Sequence, residues 1–129
     1  MLLNRSAISL KNLVLPATTI TDSCYEDMFE NCTSLKNVVI PDSLTEIGES
    51  VFKNCAALES ITIPDSVTSI GYEAFSYCSS LTNIKLPNKL NKLEASTFRY
   101  CTSLKNITIP DSVTAIYHYA FYNCTSLES

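Results

Sequence analysis

Residues 45–67 read TEIGESVFKNCAALESITIPDSV, and two more copies of this pattern follow without a gap. They are TSIGYEAFSYCSSLTNIKLPNKL (68–90) and NKLEASTFRYCTSLKNITIPDSV (91–113). All five phenylalanines of the chain lie 23 residues apart, and a cysteine follows each of them three positions later. A fixed period in several residue types indicates tandem copies of one small unit, which bury their apolar sides only against neighbouring copies. The sequence therefore predicts a solenoid.

The repeat extends over the whole chain of 129 residues. A looser unit covers 22–44, and partial units cover 8–21 and 114–129. Pro16 and Pro41 are 25 residues apart, which predicts a two-residue insertion near Ala17 to Thr21. No linker or change of composition separates a second domain, so we predict one array over residues 1–129. Because neither end resembles a polar cap, we expect a segment of a longer protein.

Each unit divides into three pieces. The run LESITIP alternates apolar and polar residues and ends at a proline, which predicts a short strand followed by a turn. The run VTSIG predicts a second brief extended piece, with Val67 and Ile70 facing inward. The run GYEAFSYC predicts a helical turn or short helix, because Ala74 and Cys78 are four residues apart and share one face. Gly71 begins that piece, but Glu94 and Tyr117 hold its place elsewhere, so a positive φ is not required there.

These residues carry a family resemblance over essentially the full chain. The pattern L-x-x-I-x-I/L-P-x-x-V/L-x-x-I-x-x-x-x-F-x-x-C resembles the BspA-like (Treponema pallidum-type) leucine-rich repeats. The resemblance implies a right-handed α/β repeat solenoid, with short parallel strands on the concave side and short extended or helical turns on the other. It also implies a surface protein that attaches to host or bacterial partners, and hence an extracellular location.

Composition and charge argue against several functions. A net charge of −4, with nine scattered basic residues, disfavours nucleic-acid binding. No apolar run approaches the length of a membrane span, so direct membrane insertion is not expected, and no signal peptide is recognisable. His118 is the chain's single histidine, which leaves no catalytic triad to build. No glycine-rich phosphate loop or calcium-binding loop is present, so we predict neither an enzyme nor a cofactor or metal site.

Five of the six cysteines share one repeat position. They should stack as a column of buried thiols, since a free cysteine behaves as a small hydrophobic residue. Disulfides between neighbours would have poor geometry because the Cβ vectors run parallel, and a linear column does not converge on a metal ion. Cys24 falls at a core position of the irregular first unit, where either simple packing or a link to Cys32 would fit.

Side chains of the strand pieces that should point away from the core form three rows, which are candidate binding positions. Their amide, hydroxyl and ammonium groups could bind a polypeptide or a glycan, or could simply solvate the sheet. The first row is Asn12, Asn37, Ser60, Asn83 and Asn106, the second is Val14, Val39, Thr62, Lys85 and Thr108, and the third is Lys11, Lys36, Glu59, Thr82 and Lys105.

A second candidate surface consists of tyrosines in the helical-turn pieces of the last three units. Their positions vary while phenylalanine stays fixed, so we expect several to be partly exposed. Exposed tyrosines are frequent contact residues, although their rings could equally pack between neighbouring turns. The group comprises Tyr72, Tyr77, Tyr100, Tyr117, Tyr119 and Tyr122.

The most direct functional prediction is non-enzymatic recognition of a protein or glycan by a segment of a cell-surface adhesion protein. Two alternatives remain open: a spacer or stalk within a surface protein, and a cytosolic protein-interaction scaffold. Exposed apolar ends would also permit end-to-end self-association of the array.

Overall fold

The computed structural model describes residues 11–15 and 29–128. The predicted insertion near 17–21, most of the partial unit 8–21 and Cys24 lie outside these residues. The described chain winds as stacked units, and it contains eight short strands. They are β1 (Asn12–Val14), β2 (Asn37–Val39), β3 (Glu46–Ile47), β4 (Ser60–Thr62), β5 (Ser69–Ile70), β6 (Asn83–Lys85), β7 (Lys92–Leu93) and β8 (Ala115–Ile116).

Every strand pairing is parallel, as the repeat predicts. β1 pairs with β2 and β4 with β6, in a register that places Asn12 beside Asn37 and Ser60 beside Asn83. The second extended piece of each unit also forms strands, because β3 pairs with β5 and β7 with β8. Equivalent residues of adjacent units therefore lie side by side, which confirms the solenoid with parallel strands on one side.

The core is a ribbon of like residues stacked on like. Phe29, Phe52, Phe75, Phe98 and Phe121 form a continuous stack, with ring centroids 5.8, 5.5, 5.7 and 5.6 Å apart and nearly parallel planes. Leucines at the start of each strand piece are fully buried beside it: Leu35, Leu58, Leu81 and Leu104. Such a spine removes apolar surface from water in proportion to the number of stacked units, which is how a solenoid is stabilised.

The pieces opposite the strands are chains of turns. The prediction of turns there is confirmed, but the alternative of a short helix is wrong for the residues that the structure describes. In residues 48–55, Ser50 and Asn54 adopt left-handed φ values of 57° and 61°, which interrupt the helical backbone. The local hydrogen bonds span three residues, as from the N–H of Cys55 to the carbonyl of Phe52 at 3.2 Å. Other N–H groups turn outward and bond to the next unit.

Candidate functional site

The side of the solenoid that carries the three outward rows is here called the strand face. Asn37, Ser60, Asn83 and Asn106 are all exposed, as are Val39, Thr62, Lys85 and Thr108. Within the first row the Asn37 amide Nδ2 donates to Asn12 Oδ1 at 2.7 Å, and Asn83 forms a parallel bridge with Asn106. Solvent therefore reaches every candidate residue of this face.

Two open grooves interrupt the strand face. β2 and β4 lie side by side, yet no hydrogen bond joins them in the described part of the chain. The gap is a groove of about 450 Å³, with Asn37, Val39, Asp42, Ser60, Thr62 and Pro64 among its lining residues. A second groove of about 370 Å³ opens beyond the Asn83–Asn106 bridge and is lined by Ile84, Lys85, Leu86, Asn88, Thr108 and Pro110.

Most of the predicted strand-face residues line these two grooves. Asn37, Val39, Ser60 and Thr62 line the first groove, and Lys85 and Thr108 line the second. Asn83 and Asn106 lie between them and pair with each other. Asp42 and Asn88 also line the grooves, and the sequence reasoning missed them because they belong to the turns after the strands. Their place after the strand-ending proline was the signal that could have indicated them.

The opposite side, here called the turn face, carries the tyrosines. Tyr72, Tyr77, Tyr117, Tyr119 and Tyr122 are between 39% and 55% exposed, whereas Tyr100 is half-buried. Ring contacts link four of the six: Tyr77 stacks on Tyr100 at 4.9 Å, and Tyr122 meets Tyr100 and Tyr119 edge-on at 5.6 and 5.2 Å. Tyr72 and Tyr117 have no such ring contact among the described residues.

Arg99 lies in the middle of this group. Its guanidinium carbon is 5.4 Å from the ring centroid of Tyr100, 5.7 Å from that of Tyr119 and 5.5 Å from that of Tyr122. These distances are within the range of cation–π attraction. Arg99 was not among the residues predicted from the sequence, although it precedes Tyr100 directly and shares its repeat position with Tyr122. We call Arg99, Tyr77, Tyr100, Tyr119 and Tyr122 the tyrosine patch.

The cysteine column is confirmed as buried free thiols at the five described positions, with Cys124 only half-buried. The four thiols after Cys32 each donate to the carbonyl of the phenylalanine one unit earlier, as in Cys78 Sγ to Phe52 O at 3.2 Å and Cys101 Sγ to Phe75 O at 3.1 Å. Burial raises the pKa of all five thiols, that of Cys55 to about 12. They are protonated at neutral pH, so none is prepared to act as a nucleophile or a thiolate ligand.

Two further features bear on function. His118 is exposed and packs edge-on against Tyr119 at 5.4 Å. Within residues 11–15 and 29–128 no three His, Cys, Asp or Glu side chains are grouped as metal ligands. The same residues include no helix with the length and apolar character of a membrane span.

Comparison with known proteins identifies the family of the repeat. The BspA-type leucine-rich repeat region, in six copies, matches residues 5–128. The chain belongs to this family. No curated protein matches it. Among crystal structures, a leucine-rich repeat protein from Bacteroides ovatus is 33% identical with a TM-score of 0.66, and it covers 92% of this BspA-type chain.

Two other solved proteins extend the comparison. A leucine-rich cell surface protein from Faecalibacterium prausnitzii is 32% identical over 87% of this chain, with a TM-score of 0.60. The leucine-rich repeat protein of T. pallidum has a TM-score of 0.67 at 22% identity, and covers 91% of this chain and 78% of its own. The BspA-type chain spans 36% of the B. ovatus protein and 39% of the F. prausnitzii protein.

Proposed function

We propose that this BspA-type array is a non-enzymatic recognition module of a cell-surface adhesion protein, and that its strand face binds an extended polypeptide. The observation that carries the proposal is the pair of grooves, which are lined by six of the eight predicted strand-face residues. Similarity to a protein described as a leucine-rich cell surface protein supports the surface location.

The chemistry of the first groove suits a polypeptide better than a glycan. Backbone groups on the facing edges of β2 and β4 are not paired with each other, so those that reach the groove are available to hydrogen-bond a peptide backbone lying along it. Side chains of Asn37, Ser60 and Thr62 supply further donors and acceptors at the rim, and the exposed Val39 adds an apolar contact.

The charged residues of the strand face indicate which peptides it would bind. The three outward rows contain four lysines and one glutamate, although the whole chain has a net charge of −4. Lys11, Lys36, Lys85 and Lys105 thus outnumber the acidic residues of this face, which are Glu59 in the rows and Asp42 in the first groove. Complementary charge speeds association and disfavours wrong partners. The expected ligand is an extended segment with acidic side chains.

The test is selection from a displayed library of random peptides, followed by affinity measurement with the full chain. Acidic peptides should be enriched, and Lys36→Glu and Lys85→Glu should each weaken binding about tenfold. Ser60→Trp should abolish binding because the indole fills the first groove. Lys89→Glu is the matched control, since Lys89 is exposed but belongs to the turn after Pro87.

Failure to enrich any peptide would favour the alternative of a spacer or stalk. Equal losses for Lys89→Glu and Lys36→Glu would remove the strand face as the binding site, and so would unchanged binding by Ser60→Trp. A cytosolic scaffold is the third candidate, and locating the full-length protein in fractionated cells distinguishes it.

The array is also proposed to associate end to end. Its last unit leaves Ile116 52% exposed, while the equivalent Ile47, Ile70 and Leu93 are buried beneath the following unit. A second copy stacked on this end would cover the same surface.

A further inference from the structure

We infer that the tyrosine patch on the turn face is a second binding site, which takes a carboxylate-bearing glycan. The site is separate from the strand-face grooves, since none of its residues lines either of them. The inference depends on three observations: an unpaired cation, costly backbone positions for the tyrosines, and backbone N–H groups at Tyr77 and Tyr100 that are already bonded between units.

The cation is Arg99. The ion pairs in the described part of the chain are Lys53 with Glu73 and Lys92 with Glu94, so Arg99 has no carboxylate partner there. Its Nε–H is buried and has no acceptor. A guanidinium presents N–H donors in a fixed fork that matches a carboxylate, and an unsatisfied buried donor is costly. The site therefore lacks an anion of the shape that Arg99 binds best.

The tyrosines occupy backbone positions that do not favour them. Tyr77, Tyr100 and Tyr119 have φ values of 63°, 60° and 60°, in the left-handed region. Other units place Asn31, Asn54 and Asn123 at the position of Tyr77 and Tyr100, and Ser50, Glu73 and Ser96 at the position of Tyr119. Asparagine tolerates this conformation, whereas a bulky ring in it costs on the order of 1–2 kcal/mol. Because the fold does not need tyrosine there, the exposed rings point to a role at the surface.

The class of ligand follows from the chemical groups that the tyrosine patch has available for binding. Backbone groups here are used between units, as in the N–H of Tyr77 to Arg99 O at 2.7 Å and of Tyr100 to Tyr122 O at 2.7 Å. The N–H groups of Tyr77 and Tyr100 are therefore not available to pair with a peptide strand. The side chains of the patch that are exposed are Tyr77, Tyr119 and Tyr122, with Arg99 and Tyr100 half-buried among them. Aromatic rings cover the apolar C–H face of a sugar, hydroxyls bond to its hydroxyls, and Arg99 binds the carboxylate of a uronic or similar acidic sugar.

Three probes test the class of ligand with the full chain, by titration followed through tyrosine fluorescence or calorimetry. Oligogalacturonate offers rings and carboxylates, its methyl ester offers the same rings without charge, and oligoglutamate offers carboxylates without rings. We expect oligogalacturonate to bind at millimolar concentration or below, and both other probes to bind at least about tenfold more weakly. Added salt should weaken the binding, because the single charge is near the surface.

Variants test the location. Arg99→Gln and Tyr119→Leu should each reduce oligogalacturonate affinity about tenfold, and Arg99→Lys should recover only part of it because the fork is lost. Tyr72→Leu is the matched control, since Tyr72 is exposed on the same face outside the patch. Circular dichroism confirms that each variant is folded, and Tyr119 gives a second variant should Arg99→Gln unfold.

The inference is overturned if oligogalacturonate does not bind, if its ester binds equally well, or if Tyr72→Leu costs as much as Tyr119→Leu. Equal or tighter binding of oligoglutamate would assign the patch to an acidic peptide instead. The strand-face variant Lys36→Glu should leave oligogalacturonate binding unchanged, so the two proposed sites can fail independently.

Discussion

A buried cysteine in this chain has a definite hydrogen-bonding role. Phe52 O accepts the N–H of Cys55 in its own unit at 3.2 Å and the thiol of Cys78 in the next unit at 3.2 Å. Alanine at the cysteine position would lose the second bond, and serine would bring a more strongly hydrated hydroxyl into the core. The repeated cysteine therefore couples adjacent units through the phenylalanine carbonyl.

The raised thiol pKa values make stability depend on alkaline pH. Cys55 has a pKa of about 12 when folded against an ordinary value of 9.0, so the unfolded state loses its proton first as pH rises. The free energy of unfolding should therefore be unaffected by this thiol below pH 9.0 and should fall between pH 9.0 and about 12. Relative to Cys55→Ala, the extra slope should approach 1.4 kcal/mol per pH unit, as about one proton is involved.

Urea unfolding of both proteins across this pH range measures the difference, because the contributions of all groups that the two proteins share cancel. Parallel profiles would contradict the prediction. Thiol labelling at pH 8 adds an independent readout in a Cys24→Ala background. Cys124 should react first because it is half-buried, and Cys78 should react only as fast as the protein opens.

At the scale of the element, each turn piece is defined by two left-handed residues four positions apart. The pairs are Ser50 with Asn54, Glu73 with Tyr77, Ser96 with Tyr100, and Tyr119 with Asn123. Each such conformation turns an N–H toward the next unit, as from Ser50 to Tyr72 O at 2.9 Å and from Asn54 to Ser76 O at 2.8 Å. The strain of the turn is thus offset by a bond between units.

Paired substitutions at Asn54 isolate this backbone strain. Asn54→Gly and Asn54→Ala both lose the side-chain bond to Asn31 Oδ1, but only glycine adopts the left-handed conformation without a steric penalty. The glycine variant should be more stable than the alanine variant by about 1 kcal/mol in denaturant unfolding. At the exposed strand residue Thr62 the order should reverse, since glycine there has only its entropic cost. The same order at both sites would contradict the account.

These turns show where sequence reasoning reached its limit. Period and polarity predicted the strands, the buried Phe and Cys columns and the exposed rows, because each depends on which residue recurs at one position. The turn conformation did not follow, since Asn54 and Tyr77 share a left-handed position that no glycine marks. The reason for glycine at position 71 did not follow from the sequence either. A Cβ at Gly71 would lie 2.7 Å from the Glu49 backbone nitrogen, so glycine is required there by the close approach of two backbones and not by a positive φ. The gap between β2 and β4 also has no counterpart in the repeat pattern.

At the scale of the whole molecule, the hydrogen bonds between successive turn pieces all run in one direction in the described part of the chain. The earlier unit donates to the later one there, as from Phe75 N–H to Thr97 O at 2.9 Å, whereas the strand side donates both ways, as from Lys36 N–H to Lys11 O at 2.8 Å and from Leu15 N–H to Val39 O at 3.0 Å. The turn piece of the last unit consequently has N–H donors that meet no later unit. No acceptor is described within residues 29–128 for the N–H groups of Tyr119, Phe121 and Asn123. Because these donors all point the same way along the stack, a second copy would best supply carbonyl acceptors by stacking in the same direction, so the proposed self-association should be head to tail.

Ile116 provides the test of that association. Covering its exposed half should contribute about 1.4 kcal/mol, or tenfold in affinity, and a lysine would place an unpaired charge in the contact. Sedimentation velocity should show a coefficient that rises with concentration for the parent chain, and Ile116→Lys should shift that rise to at least about tenfold higher concentration. Val39→Lys, an equally exposed apolar position on the strand face, is the control and should leave the rise in place. An Ile116→Lys chain that associates like the parent would show that this end is not the contact, and a parent chain that stays monomeric at millimolar concentration would show that the end is not used for self-association.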